Sequence, residues 1–399
     1  MTLTHPSERD DDTQTASHDV KTKRHYYRRF NQKLSASIAI PMLMAASINI
    51  VIDPYDFWSS GEYQGINHIK PSKDNSDRLY KAVDIIRQQP SVVILGSSRA
   101  KQGIDPSHEL FQAYSQDAYN LAINGPNIYE VRRYLEHFLA NQKHPELIVL
   151  GIDFFMFNQN LENQPSFDES RLGISHLSLQ DVISTTLSVD ALQASWETFQ
   201  ESRQQSQSLV AESDNGFAPN RNAEDGQREW RFENALKLYF DRHSEYSLSD
   251  DYLNDLKRIV ELSEQYDIPL YIFISPAHAT QWEAIRTTGE WATFEEWKRQ
   301  VVAITPVWDF SGYNSVTTEK IAKDMDYYTD SSHYSVSVGN WVITRILQGD
   351  SSNIPEDFGK LVDAENIEQH LAQIRADHDI WASQNQETID WVLTIQAEK

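Results

Sequence analysis

Residues 34–52 read LSASIAIPMLMAASINIVI, nineteen positions without a charge. A helix of that length is just long enough to cross the hydrocarbon layer of a bilayer. The segment before it, 21–33, carries Lys21, Lys23, Arg24, Arg28, Arg29 and Lys33 and no acid. That asymmetry predicts a cytoplasmic N-terminus, with everything after Asp53 on the far side. Pro41 interrupts the run at little cost in a membrane helix. A buried core helix would give the flanking charge no role. A cleaved signal peptide is the other rival, because small residues fall at 45–47. The polar lead is long for a signal, so an uncleaved anchor is expected. Residues 1–20 are polar and acidic without periodicity and read as a disordered tail.

After the anchor, short apolar runs bounded by turn residues recur at Val92–Leu95, 118–121, Leu147–Ile152, Leu270–Ile274 and 307–310. They read as buried strands. Between them, 130–142 repeats Val131, Tyr134, Leu135, Phe138 and Leu139 at helical spacing, and 252–266 and 291–305 behave alike. Strands alternating with helices predict an α/β domain over 54–350, a parallel sheet flanked by helices and preceded by one transmembrane helix. Residues 158–249 show no strand pattern and are rich in Gln, Ser, Glu and Asn. They predict a mostly helical insertion with a flexible middle at 212–227 that could act as a lid over the site. The tail, 351–399, holds Leu361, Ile367, Leu371 and Ile374, then Ile389, Trp391, Val392 and Ile395. That spacing predicts helices packed on the outside.

Composition narrows the function. Hydrophobic residues make up 40% of the 399 positions and include ten Trp, which excludes a wholly disordered chain. The net charge of −24 repels phosphate backbones, so nucleic acid is not an expected partner. With no Cys there is no disulfide framework, thiol nucleophile or thiolate metal site. Asp309, Asp326, Asp330 and His333 lack a tight ligand motif, so neither metal nor cofactor is expected.

Chemistry in an open parallel sheet collects beyond the carboxyl ends of the strands. The first strand runs into Gly96-Ser97-Ser98-Arg99, where a tight turn would expose a hydroxyl. The second leads through Asn120 to Gly125, whose backbone amides could face the same spot. The third ends in Gly151-Ile152-Asp153, and Asp330-Ser331-Ser332-His333 follows late in the chain. A hydroxyl needs a base within hydrogen-bond reach. His333 can be that base and Asp330 can hold its tautomer, although Asp330 could instead cap a helix beginning near Ser332. Arg99 and His278 sit where either could touch substrate, or serve as a salt bridge and a loop histidine.

In order and spacing these four segments resemble the sequence blocks of the SGNH (GDSL-like) hydrolase superfamily, over roughly residues 92–347. The resemblance implies a flavodoxin-like three-layer sandwich. It further implies Ser98 as nucleophile, Asp330 and His333 as acid and base, and Gly125 as an oxyanion-hole amide. The family's third-block Asn corresponds here to Asp153. An ionised carboxylate there would repel an oxyanion, so Asp153 must be protonated, turned away, or replaced by a donor such as Asn124. The Gly-Ser-Ser start with an N-terminal anchor looks most like the branch holding the D-alanyl transfer protein of teichoic-acid modification and the alginate O-acetylation proteins.

That likeness implies a periplasmic acyltransferase or esterase acting on a cell-envelope or exported polysaccharide through an acyl-serine intermediate. It also implies a multi-span acyl-exporting membrane protein as partner. A catalytically silent polymer-binding or scaffold protein is the alternative, and a purely structural assembly subunit the third.

Overall fold

A strand that is apolar on both faces must be covered on both, and that requirement organises the α/β part of the chain. The computed structural model of the protein describes residues 11–204, 214–219, 227–243, 245–349 and 351–399, with side chains from residue 24 onward except at position 74. Its strands are β1 (Val92–Leu95), β2 (Ala118–Asn120), β3 (Leu147–Ile152), β4 (Leu270–Ile274), β5 (Val307–Asp309) and β6 (Lys360–Val362). The first helices are α1 (Asp11–Ile52), α2 (Pro71–Asp74), α3 (Asp77–Gln88), α4 (Ser98–Gly103), α5 (Ile128–Asn141), α6 (Leu179–Leu187) and α7 (Val189–Gln204). There follow α8 (Arg228–His243), α9 (Asp250–Gln265), α10 (Ala279–Thr287), α11 (Trp291–Ile304), α12 (Val336–Gln348), α13 (Ile367–Gln384) and α14 (Gln386–Ala397).

The strands form one sheet in the order β2-β1-β3-β4-β5-β6, parallel except for β6. Successive residues of β1 serve opposite faces, as strand geometry demands. Val93 and Leu95 join a core with Ala82 and Ile85 of α3, Val131 and Leu135 of α5, and Leu256 and Ile259 of α9. Val92 and Ile94 join a second core with Ala100 of α4 and Val338, Val342 and Ile343 of α12. The chain leaves β1 for β2 on one side and later returns to β3 on the other. The strand order therefore reverses between β1 and β3, the point where such sheets open a crevice.

The described residues fall into two compact units, one of 11–75 with 179–204 and one of 76–178 with the residues from 214 onward. In the first, α1 contains a stretch, Arg24–Ile52, long and apolar enough to cross a membrane. Most of its large side chains are exposed, among them Leu43, Met44 and Val51, which a core helix would have buried. Two of its hydroxyls turn back onto the helix, Ser37 Oγ donating to Leu34 O and Ser47 Oγ to Leu43 O. Beyond the helix, Asp53 accepts Trp58 N at 3.0 Å, and Asp56 pairs with Lys70 and Lys73 at 2.5 and 2.7 Å. Burial disfavours the Asp56 carboxylate, but the two ammonium groups outweigh it and hold its pKa below the ordinary value.

Several sequence expectations need correction. Residues 11–20 belong to α1 rather than to a disordered tail, and 1–10 lie outside the described residues. The sheet-bearing unit starts at Ser76 instead of 54. The helices of the insertion are present, but Leu179–Leu187 and Val189–Gln204 pack with α1. Of the middle at 212–227, residues 212–213 and 220–226 lie outside the described residues. The stretch 214–219 packs on β2, where Asn120 N donates to Asn215 O at 2.8 Å and Phe217 is buried. Leu361 sits in β6, not in a helix, because Trp308 of β5 offers it an edge to pair with. Ile367, Leu371, Ile374, Val392 and Ile395 enter the main core, so the tail is part of this unit and not an external extension.

Helices α4 and α12 meet through glycines. A Cβ on Gly339 would lie 1.8 Å from the carbonyl oxygen of Gly103, and one on Gly103 would lie 2.0 Å from the Tyr334 ring. In an unobstructed helix Gly→Ala stabilises by about 0.5–1 kcal/mol. Here Gly339→Ala should destabilise by about 1–3 kcal/mol through overpacking. Urea unfolding of the two proteins reads the sign directly, and a more stable variant would refute the close approach.

Candidate active site

The turn after β1 is built on Gly96, at φ +146, where a Cβ would lie 2.8 Å from Gly151 O of β3. Only glycine lets the two strand ends approach this closely. Ser97 follows as the N-cap of α4, its Oγ accepting Arg99 N at 3.2 Å, which makes Ser98 the first helical residue. Ser97 is fully buried, whereas Ser98 is half-buried at the carboxyl edge of the sheet.

His333 reaches this turn from 235 residues away, and its Nε2 accepts from Ser98 Oγ at 2.8 Å. Its Nδ1 donates to Asp330 Oδ2 at 2.8 Å, an arrangement that fixes the tautomer with Nε2 as acceptor. The loop that carries the pair is pinched by a bridge between Tyr328 and Tyr334 and by Thr329 N donating to His333 O at 3.0 Å. Asp330 does not cap a helix: α12 begins at Val336 behind Ser335. Asp330 Oδ1 instead accepts the amides of Ser332 and His333 at 2.7 and 2.9 Å. Burial works against its charge. The facing His333 ring and these amides prevail and hold the Asp330 pKa below its ordinary value.

Asp153 is turned away from Ser98 and neutralised. Its Oδ2 accepts from Ser97 Oγ at 2.5 Å and its Oδ1 from Arg99 Nη1 at 2.7 Å, with both residues buried. Arg99 Nε also donates to Ser332 Oγ at 2.9 Å, so one guanidinium joins the β1 turn, the end of β3 and the 330–333 loop. That buried, paired position is a salt bridge and leaves Arg99 no opening to hold a substrate anion. His278 is likewise 2% exposed, with Nδ1 on Thr280 Oγ1 and Nε2 on Glu319 O. Burial pushes its pKa down to about 4, and both ring nitrogens are occupied, so it is a structural residue behind the site. Its backbone amide holds Ser331 O at 3.1 Å.

The second segment runs beside β1, with Ile123 N donating to Gly96 O at 3.1 Å. Asn124 N is committed to Asp77 Oδ2 at 2.6 Å, which makes the Gly125 amide, in a left-handed turn at φ +54, the segment's next donor. The turn is anchored by residues that sequence reasoning missed. Arg78 donates to Asn124 O at 2.9 Å and to Glu130 Oε2 at 2.6 Å, Glu130 Oε1 accepts Gln164 N at 2.6 Å, and Gln164 Nε2 donates to Gly125 O at 3.0 Å. Lys81 gives its ammonium to the carbonyls of Asn120, Ala122 and Gly216. The available signal was charge at core-facing helix positions: Asp77, Arg78, Lys81 and Glu130 are all buried.

Of the carboxylates weighed for a metal, Asp330 is taken up by His333 and its own loop and Asp309 by other side chains. Asp309 accepts from Lys298 Nζ at 2.6 Å and from His370 Nε2 at 2.8 Å. Among the described residues no group of three His, Asp or Glu is placed to hold an ion.

Two outcomes test these electrostatics. Arg99→Gln should cost about 3–5 kcal/mol by leaving Asp153 buried and unpaired, and adding Asp153→Asn should recover most of it. A double variant no more stable than the single one in denaturant titrations would refute the pairing. Asp330 has a folded-state pKa below the unfolded value near 3.8, so its stabilisation is present above that value and lost as pH falls through the lower one. Wild type should therefore lose stability more steeply than Asp330→Asn below about pH 4, and parallel curves would contradict the assignment. In comparisons with known proteins, no family model and no curated protein matches this chain.

Proposed function

We propose that this chain is a membrane-anchored serine acyltransferase or esterase of SGNH type, working on the periplasmic side on a cell-envelope or exported polysaccharide. The observation that carries the reading is the continuous relay from Asp330 to His333 to Ser98, with contacts of 2.8 Å at both steps. Ser98 Oγ attacks an acyl carbonyl while its proton passes to His333 Nε2, and Asp330 stabilises the imidazolium that forms. Backbone amides of Ser98 and Gly125 receive the developing oxyanion. His333 gives that proton to the leaving group, then takes the proton of a sugar hydroxyl in transfer or of water in hydrolysis as that oxygen attacks the acyl-serine, and returns it to Ser98 Oγ as the acyl group departs.

Asp153, the departure from the family pattern, is compatible with this chemistry because Arg99 and Ser97 engage both of its oxygens. A transferase on that side of the membrane needs an acyl supply carried across it, which a multi-span acyl-exporting partner would provide. The basic segment 21–33 of α1, just ahead of its uncharged run, supports the orientation.

Labelling the full chain in detergent with a fluorophosphonate probe tests the reading. Wild type should be modified at Ser98 and Ser97→Ala should still be modified there. Ser98→Ala should not react, and His333→Ala should react about 10²–10⁴-fold more slowly for want of a general base. A folded wild type that takes no label would favour the silent polymer-binding or scaffold alternative.

A further inference from the structure

Helix α6 presents an apolar stripe that its own unit does not cover. Leu179, Ile183 and Leu187 recur at every fourth position and are 72%, 49% and 40% exposed, and Val189, just beyond, is 78% exposed. Residues four apart share one face of a helix, so the three leucine and isoleucine side chains form one line. The single charged residue of α6, Asp181, is buried on the other side.

The depth of this stripe relative to α1 is set by Asn49. That residue belongs to the uncharged run of α1 yet is wholly buried. Its Nδ2 donates to Thr186 O of α6 at 2.9 Å and its Oδ1 accepts from Ser195 Oγ of α7 at 2.8 Å. Asn49 lies three residues before Ile52, about 4–5 Å inside the end of the run at 1.5 Å per residue. An amide at that level would have no partner in lipid, so α6 and α7 supply both. The C-terminal turn of α6 is therefore fixed at a level where α1 exposes Ile48, Ile50 and Val51.

We propose that α6 with Val189 is an interfacial membrane element, its Leu179–Ile183–Leu187 stripe lying in the acyl-chain boundary of the leaflet at the C-terminal end of α1. The proposal rests on the reading of α1 as a membrane span. An aliphatic stripe continuous in depth with the exposed side chains of α1 suits lipid. A protein partner of such a face would instead be met by the aromatic and arginine anchors that interfaces favour. On α7 the exposed Asp190, Gln193 and Glu197 mark the water side, and the 58% exposed Trp196 among them is a residue type that favours headgroup level.

The chain has no Cys, so single-cysteine variants can be spin-labelled cleanly. Full-length Ile183→Cys, Leu187→Cys, Leu43→Cys and Gln193→Cys would be reconstituted in phosphatidylcholine–phosphatidylglycerol vesicles and their collisions with oxygen and with a water-soluble nickel chelate compared. The oxygen-to-nickel ratio at 183 and 187 should exceed that at 193 by about threefold or more, in the direction shown by 43. Aqueous ratios at 183 and 187 with a lipid ratio at 43 would overturn the proposal and leave the span intact. An aqueous ratio at 43 as well would overturn the span reading and this proposal with it. Labels at 183 and 187 shielded from both reagents would overturn it in favour of a protein covering the stripe.

Discussion

The ion pair between Arg99 and Asp153 is the contact on which the site depends. Asp153 follows β3, Arg99 follows the half-buried Ser98 after β1, and the same guanidinium reaches Ser332 in a loop more than 230 residues later. A buried pair adds little net stability over apolar packing, yet breaking it strands a charge in the interior. Its physical effect is to leave one low-energy arrangement of the paired ends of β1 and β3 and a loop that no strand ladder joins to them. The Arg99 guanidinium also lies 5.5 Å over the Phe155 ring, which restricts it from the remaining side.

A second buried network does for the Asn124–Gly125 turn what Arg99 does for Ser98 and His333. Asp77 and Arg78 hold the turn from α3, and Gln164 holds it from the far side through Glu130. Burial raises the Glu130 carboxyl pKa against the pull of Arg78. With the turn fixed by backbone contacts on both sides, an amide donor there is placed before any ligand arrives, which is the condition for stabilising a transient charge. At the carboxyl ends of β1 and β3 thus meet paired strand ends, a glycine-limited turn, and a loop pinned by its own bridge.

The unit that holds α1 follows the same logic. Ser37 and Ser47 of α1 turn back onto helix carbonyls, and Asn49 is met by α6 and α7. In both units the polar groups that enter a dry environment decide which elements must come together. The apolar surface then determines how closely they pack.

Period and punctuation along the chain were enough to read the five parallel strands, the principal helices and the uncharged run of α1, because burial on a strand or helix face repeats at a fixed interval. Ser98, Asp330 and His333 were legible for a related reason: each follows a strand or falls in a short local motif, and their order resembled the SGNH sequence blocks. What the chain could not reveal by itself were relations between segments far apart. Asp153 read as a misplaced carboxylate until its partners were seen to be Ser97 and Arg99, and Leu361 read as helical until Trp308 offered it an edge. Arg99 and His278 read as candidate substrate contacts because exposure depends on what packs against them from elsewhere. Local pattern determines which surface a segment must bury, and only the tertiary structure decides which distant charge, edge or carbonyl it is buried against.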